Sequence, residues 1–205
     1  MLAYLPEFFK GFLTAFLVNL QIASISLLGG LLLGAPLGYA RATNKVILSW
    51  TAGLVVGFLR AFPVFVLMFV LLNLIPHPAG KYSFFSLSFS ELILVLALCA
   101  YSVSVVADAI LDAIRVYRTG NVTQAWLLVP NLFRIFVILV MSTSIGAAIG
   151  VQEAVTFTLR SADVFTDRAH KIGLVVLATV FFAVFFGLAR GVLDQVTSRL
   201  KQAKQ

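Results

Sequence analysis

Runs of about twenty apolar residues recur along the whole chain, and this constrains the fold more than any other feature. As a helix rising 1.5 Å per residue, such a run covers about 30 Å of hydrocarbon. Five runs can be drawn: residues 12–40, 46–75, 92–114, 125–151 and 172–193. In lipid, backbone N–H and C=O groups must be satisfied internally, so only helices and closed barrels span a bilayer. The runs lack the alternation of a barrel strand. The sequence therefore predicts an all-α membrane protein with five transmembrane helices. Composition agrees. Of 205 residues, 61% are hydrophobic and 11% charged, with a mean hydropathy of +1.05, whereas a soluble domain carries about 25% charged residues. A fully buried subunit of a soluble complex is the alternative, and the regular recurrence of the runs disfavours it.

The charges between the runs set an expected orientation, because short cytoplasmic loops are enriched in Lys and Arg. Arg41 and Lys45 follow the first run, Arg115 and Arg118 the third, and Arg190, Arg199, Lys201 and Lys204 mark the end. The loop 76–91 has only Lys81 as a base. The loop 152–171 is mixed, with Arg160, Arg168 and Lys171 against Glu153, Asp163 and Asp167. The N-terminus is thus expected outside and the C-terminus in the cytoplasm. No basic start followed by a small-residue cleavage site precedes the first run, which is therefore expected to be retained. Pro76, Pro78 and Gly80 predict an irregular outer loop, and Tyr82, Phe84, Phe85 and Phe89 an interfacial aromatic belt. No repeat or soluble segment divides the chain, so residues 1–205 form one transmembrane domain. The formal charge of +7 forms no basic stripe interleaved with aromatics, so nucleic acid is not an expected partner; membrane lipid is. The single Cys99 excludes an intrachain disulfide and fits a packed core position.

Several residues break the apolar pattern. The stretch Met141-Ser-Thr-Ser-Ile-Gly-Ala-Ala-Ile-Gly-Val-Gln-Glu153 ends the fourth run with hydroxyls, glycines and a Gln-Glu pair. A segment that only fills a bilayer has no need of them. Ser142, Thr143, Ser144, Gln152 and Glu153 are candidates for a solute path or gate, with backbone capping by the hydroxyls and an outer-interface cap by Glu153 as the alternatives. Asn19, Gln21, Ser24 and Ser26 make the first half of run one polar, which fits either path lining or hydrogen bonding between helices. Gly30, Gly34 and Gly38 share one helical stripe and permit close helix packing, whether fixed or moving. Arg60 precedes Pro63. Either it lies at depth and faces a cavity, carbonyl or carboxylate, or residues 46–58 lie at the interface and leave it shallow. Asp108, Asp112 and Arg115 share a face, and Asp112–Arg115 has the spacing of an ion pair. This reads as a solvated helix end or as a contact for a cytoplasmic partner.

Catalytic signatures are missing. His77 and His170 lie in separate loops, with no metal-ligand spacing. There is no phosphate-binding Gly-Lys-Ser/Thr loop and no Gly-x-Ser-x-Gly elbow. No catalytic residue, metal site or cofactor is expected in this chain.

Taken together, the segments resemble the permease subunit of polar amino-acid ABC importers. Phe8-Phe9-Lys10-Gly11, Thr14 and the Gly-rich helix to Tyr39-Ala40-Arg41 are similar to that family's opening. Arg60-Ala61-Phe62-Pro63 and the apolar residues after it resemble its Arg-Gly-Thr-Pro stretch, and Ala100-Tyr101 an Ala-Tyr before its third-helix end. Residues 130–153 lie without gaps on its Pro-Pro-Leu-Gly-Asn…Lys-Asp-Thr-Ser-Leu-Ala-Ser-Val-Ile-Gly-Val-x-Glu segment, through Thr143-Ser144-Ile145 and Ile149-Gly150-Val151-Gln152-Glu153. Met141 stands where the family has Lys, and Ser104 and Ala107 stand where it tends to have Glu and Arg. Residues 113–121 resemble the lead-in to the family's cytoplasmic docking loop. About twenty family residues, including the Glu-Ala-Ala docking motif, are then missing before the fourth run, a connection too short for a docking helix. Arg115, Arg118, Gly120 and Asn121 would form what remains of that contact.

The resemblance implies a type I importer core, multi-pass in a bacterial cytoplasmic membrane and forming half of a translocation path. It also implies a second permease subunit in a heterodimer, ATPase subunits that bind ATP and Mg, and an extracytoplasmic solute-binding protein. A permease-derived membrane scaffold is the alternative. An intramembrane enzyme lacks any paired acid or nucleophile–base set.

Overall fold

The computed structural model describes residues 4–77 and 87–202, with backbone only at 123, 124 and 200–202. The described residues form α1 (Leu5–Arg41), α2 (Val46–Ala61), α3 (Val64–Leu74), α4 (Phe89–Arg118), α5 (Val122–Ala125), α6 (Leu128–Ser142), a 3₁₀ segment (Thr143–Ile149), α7 (Ala154–Asp163) and α8 (Arg168–Gln202). Among the described residues four spans are long and apolar enough to cross a bilayer: Leu5–Arg41, Phe89–Arg118, Leu128–Ile149 and Arg168–Arg199. A fifth exists if α2 and α3 count as one broken span.

Run two corrects the expectation of a continuous helix over 46–75. α2 and α3 meet at an 88° bend. Phe62 and Pro63 are both extended there, with ψ of 119° and 132°. Proline disfavours helical backbone in the residue before it and has no N–H to continue the ladder, so the break falls at this pair. α3 packs along α4, and α2 leans on α1 and α4.

The centre is the pairing of α1 with α4. Glycines make it close. A Cβ at Gly34 would stand 2.6 Å from the Val103 carbonyl oxygen, and one at Gly38 would stand 2.5 Å from that of Ala107. Ala side chains at these sites would push the two helices apart. In hydrocarbon, association rests on such van der Waals contact because lipid tails are as apolar as leucine. Around the seam, Phe12 and Phe16 of α1 meet Phe181, Phe182 and Phe185 of α8 edge to face, with centroids 4.9–6.0 Å apart.

The start of α4 is capped locally. Ser88 and Glu91 form a reciprocal capping box at the start of α4. Phe89 is buried in the core there rather than standing in an aromatic belt. The rest of the expected belt and the Pro78–Lys81 turn lie outside the described residues. The loop after run four is shorter than expected, because residues 154–163 fold as α7.

Candidate functional site

The Ser-Thr-Ser and Gln-Glu cluster is assembled by three elements. α6 ends at Ser142, the chain tightens into the 3₁₀ segment, and Gly150 reverses it with φ +82°. That left-handed conformation strains any residue with a Cβ. Glu153 then caps α7. Its Oε1 accepts from the Thr156 amide at 2.8 Å and the Thr156 hydroxyl at 3.1 Å. Its Oε2 accepts from the Val155 amide at 2.9 Å and from Asn19 Nδ2 at 3.0 Å.

Asn19 closes the arrangement from α1. Its Nδ2 also donates to Thr143 Oγ1 at 2.8 Å, and its Oδ1 accepts from the Ala154 amide at 3.1 Å. Thr143 in turn donates to the Val140 carbonyl at 2.7 Å. Asn19, Thr143 and Glu153 are each 0% exposed. An uncompensated carboxylate here would be costly; four donors compensate it. Asn19, Thr143 and Glu153 therefore brace α1, the 3₁₀ segment and α7, and in this conformation they face no open path.

The other expected residues spread outward. Ser142 donates to the Ile138 carbonyl and is half-buried, as is Ser144. Gln152 is exposed and donates to the Gly150 carbonyl at 2.9 Å. It borders a surface groove with Tyr4, Glu7, Lys10 and Phe157. Gln21 lies exposed on α1. Gly30, Gly34 and Gly38 are buried in the α1–α4 seam.

A second polar cluster sits toward the C-terminal ends of α1 and α4. Asp108 Oδ1 accepts from Arg41 Nη1 at 2.5 Å, and its Oδ2 accepts from Arg60 Nη2. Arg60 also donates to the Ser104 carbonyl at 3.3 Å. Arg60 thus faces both a carbonyl and a carboxylate, and its side chain remains 51% exposed. The cluster ties α2 back to α4 just before the Pro63 bend. Arg118 donates to the Ala42 carbonyl, joining the ends of α4 and α1. Arg115 and Gly120 are exposed, and Asn121 is half-buried. Among the described residues Asp112 and Arg115 form no ion pair; both are exposed, where such a pair contributes only about 0.3–0.5 kcal/mol. From Thr119 to Leu127 the chain has only the single turn of α5, beside an apolar groove lined by Ile114, Tyr117 and Trp126.

Sequence reasoning passed over Arg134. It is the only charged residue of α6, stands exposed on a face with Asn131 and Met141, and borders a groove shared with Arg190 and Asp194 of α8. Its signal was present as a lone charge inside run four. Reasoning also missed the double pairing of Asp108, since Arg41 served only as a topology marker.

No protein-family model and no curated protein sequence matches the chain. Solved structures do. A chain of "an amino acid ABC transporter with histidines" is similar in fold, with a TM-score of 0.72 and 16% sequence identity over 96% of this chain and 97% of that one. A chain of "the MetNI methionine ABC transporter" in inward-facing conformations is similar with a TM-score of 0.64 and 14% identity, over 92% of this chain and 95% of that one. The all-helical, multi-pass fold of this chain is the fold of those ABC transporter chains.

Proposed function

We propose that this chain is a membrane-spanning permease subunit of an ABC importer for polar amino acids or related small solutes. It forms half of a translocation path, with ATP and Mg bound by separate subunits and solute delivered by an extracytoplasmic binding protein. The observation that carries this reading is the match of nearly the whole chain to nearly the whole of an amino-acid ABC transporter chain. It is supported by the absence of any phosphate-binding loop in the sequence.

The chain is the degenerate half of a heterodimer. The connection 119–127 holds a four-residue helix where a docking helix would stand. The intact docking helix then belongs to the second permease subunit. The same short connection favours a second reading, a permease-derived scaffold that transports nothing.

Two measurements separate these readings. Affinity purification through this chain, followed by subunit identification, is expected to recover a second permease and an ATPase. Reconstituted into liposomes, that complex is expected to take up amino acids on ATP addition. Recovery without uptake leaves the scaffold. The chain alone is expected to retain an ATPase far more weakly than the complex does; equal retention would contradict the heterodimer.

A further inference from the structure

α6 and α8 enclose a groove of about 680 Å³ with an unusual charge arrangement. From α6 come Asn131, Arg134 and Met141; from α8 come Phe186, Arg190 and Asp194. Arg134 lies six residues after Leu128, about 9 Å along the helix axis, inside a span otherwise without charge. Among the described residues nothing pairs with its guanidinium. Arg190 differs, because its Nε stands 4.0 Å from Asp194.

An arginine within a membrane span faces water, an opposite charge or a partner chain rather than lipid. Two other charged side chains of the bundle are answered internally: Glu153 by four donors, Asp108 by two arginines. Arg134 is not, so its exposed face is left for water, a ligand or a partner chain. The volume fits a small solute, for which sites run about 300–1,000 Å³. A guanidinium presents a planar fork that matches a carboxylate. Arg190 and Asp194 put both signs in the same groove beside Arg134, so a zwitterion meets a partner for each of its charges.

We propose that the α6–α8 groove is this subunit's wall of the solute route, and that Arg134 receives the carboxylate of a zwitterionic solute while Asp194 attracts its ammonium group. This rests on the permease reading above and adds to it a wall, a residue and a substrate charge pattern. The surrounding Val137, Ile138 and Met141 contribute apolar sides without competing hydrogen-bond donors.

The complex purified through this chain is reconstituted into phosphatidylethanolamine–phosphatidylglycerol liposomes. Uptake is measured for radiolabelled α-amino acids and for their α-carboxamides, which lack the carboxylate. Arg134→Gln is expected to raise the half-saturating concentration of the transported amino acid about 10- to 100-fold, the loss of a charge-assisted hydrogen bond. The maximal rate stays nearly constant, and the preference over the carboxamide disappears. Arg134→Lys keeps part of that preference. Subunit recovery from each variant shows whether the complex assembles. If Arg134→Gln does not assemble, Asp194→Asn supplies the same comparison from the ammonium side.

A second measurement reads the groove directly. In a Cys99→Ala background, Met141→Cys is expected to react with a charged, water-soluble thiol reagent, and transported amino acid slows the reaction. Uptake unchanged in Arg134→Gln overturns the proposal and leaves the permease reading standing. So does an unreactive Met141→Cys in a transporting complex. Phospholipid that co-purifies with the unsubstituted complex and is lost in Arg134→Gln, with uptake intact, identifies a lipid site and also overturns it. A reactive groove without uptake of any amino acid overturns the solute class. An unreactive groove in a complex that transports nothing overturns both readings.

Discussion

α1 and α8 are nearly equal in length, 37 and 35 residues, and both carry small residues at four-residue spacing. They use them differently. In α1, Gly30, Gly34 and Gly38 are buried against α4, with the Ser102 side chain at Gly30 and carbonyl oxygens at Gly34 and Gly38 where a side chain would begin. In α8, Gly187 and Gly191 are exposed, and a Cβ at either would meet nothing within 4 Å. One spacing thus builds a closed seam in the first helix and leaves an open stripe in the last. Spacing establishes only that a close approach is possible; the neighbour decides whether it happens. The polar residues follow the same division. Asn19 of α1 is fully engaged inside the chain, whereas Arg190 of α8 has an 84% exposed side chain and a single distant partner.

The sharpest way to break this comparison is to fill both stripes. Gly34→Leu forces a branched side chain onto the Val103 carbonyl and the Val106 side chain, and backbone cannot yield as a flexible side chain would. The expected loss is about 3 kcal/mol or more, enough to abolish the folded chain in a marginal protein. Gly187→Leu meets open space, and in the isolated chain its effect is expected within about 0.5 kcal/mol. Thermal unfolding of the detergent-solubilised chain reads both. Equal damage at the two sites would mean that α8 is packed as tightly as α1.

The polar half of α1 should respond less strongly than the glycine half. Glu153→Gln preserves size but replaces one acceptor oxygen with an NH₂ group. That group would face Asn19 Nδ2 and the Val155 amide on one side, or on the other the Thr156 amide, where only the Thr156 hydroxyl could turn to accept from it. Leaving buried donors unmatched costs about 1–3 kcal/mol. The loss should be local, with faster hydrogen exchange in the 3₁₀ segment and α7 and little change in the α1–α4 seam. Uniform acceleration across the chain would show that the brace holds the whole bundle rather than one end of it.

The difference between the two helices also marks what the sequence could express. Apolar runs fix membrane helices because twenty residues without charge have few other solutions, and the five runs recur as the spans and the one broken pair. The break itself was written in Phe62-Pro63, yet the direction of α2 depends on Arg60 finding Asp108, a partner 48 positions away. The brace is further out of reach. Asn19 and Glu153 are separated by 134 positions, and nothing local distinguishes an asparagine that meets a carboxylate from one that lines a path. Glu153 was legible only as a cap at the outer interface; its role as a helix N-cap depends on α7, which lies in what reads as the loop 152–171. Arg134 was legible as a charge in an apolar run. Its exposed face was not, because helix rotation is set by the neighbours that bury Ile135 and Leu139.

The smallest expected effect lies at Asp167, just before the span Arg168–Arg199. Asp167 precedes Arg168, the first residue of α8, and its carboxylate accepts from the Ala169 amide at 3.3 Å. That bond, with the His170 side chain 2.7 Å away, holds the carboxyl below its ordinary value. A lowered folded-state pKa means that the folded chain favours the ionised form. The cap therefore contributes fully above the ordinary aspartate value of about 3.9 and is lost as pH falls through the lower folded value. Acidification below about pH 4 should fray the first turn of α8, read as faster exchange of the Ala169 and His170 amides, while the glycine seam holds. Asp167→Asn can still cap through its side-chain oxygen, but it cannot titrate. If the fraying persists unchanged in that variant, its cause is another acidic group, and the start of α8 is held by something other than this cap.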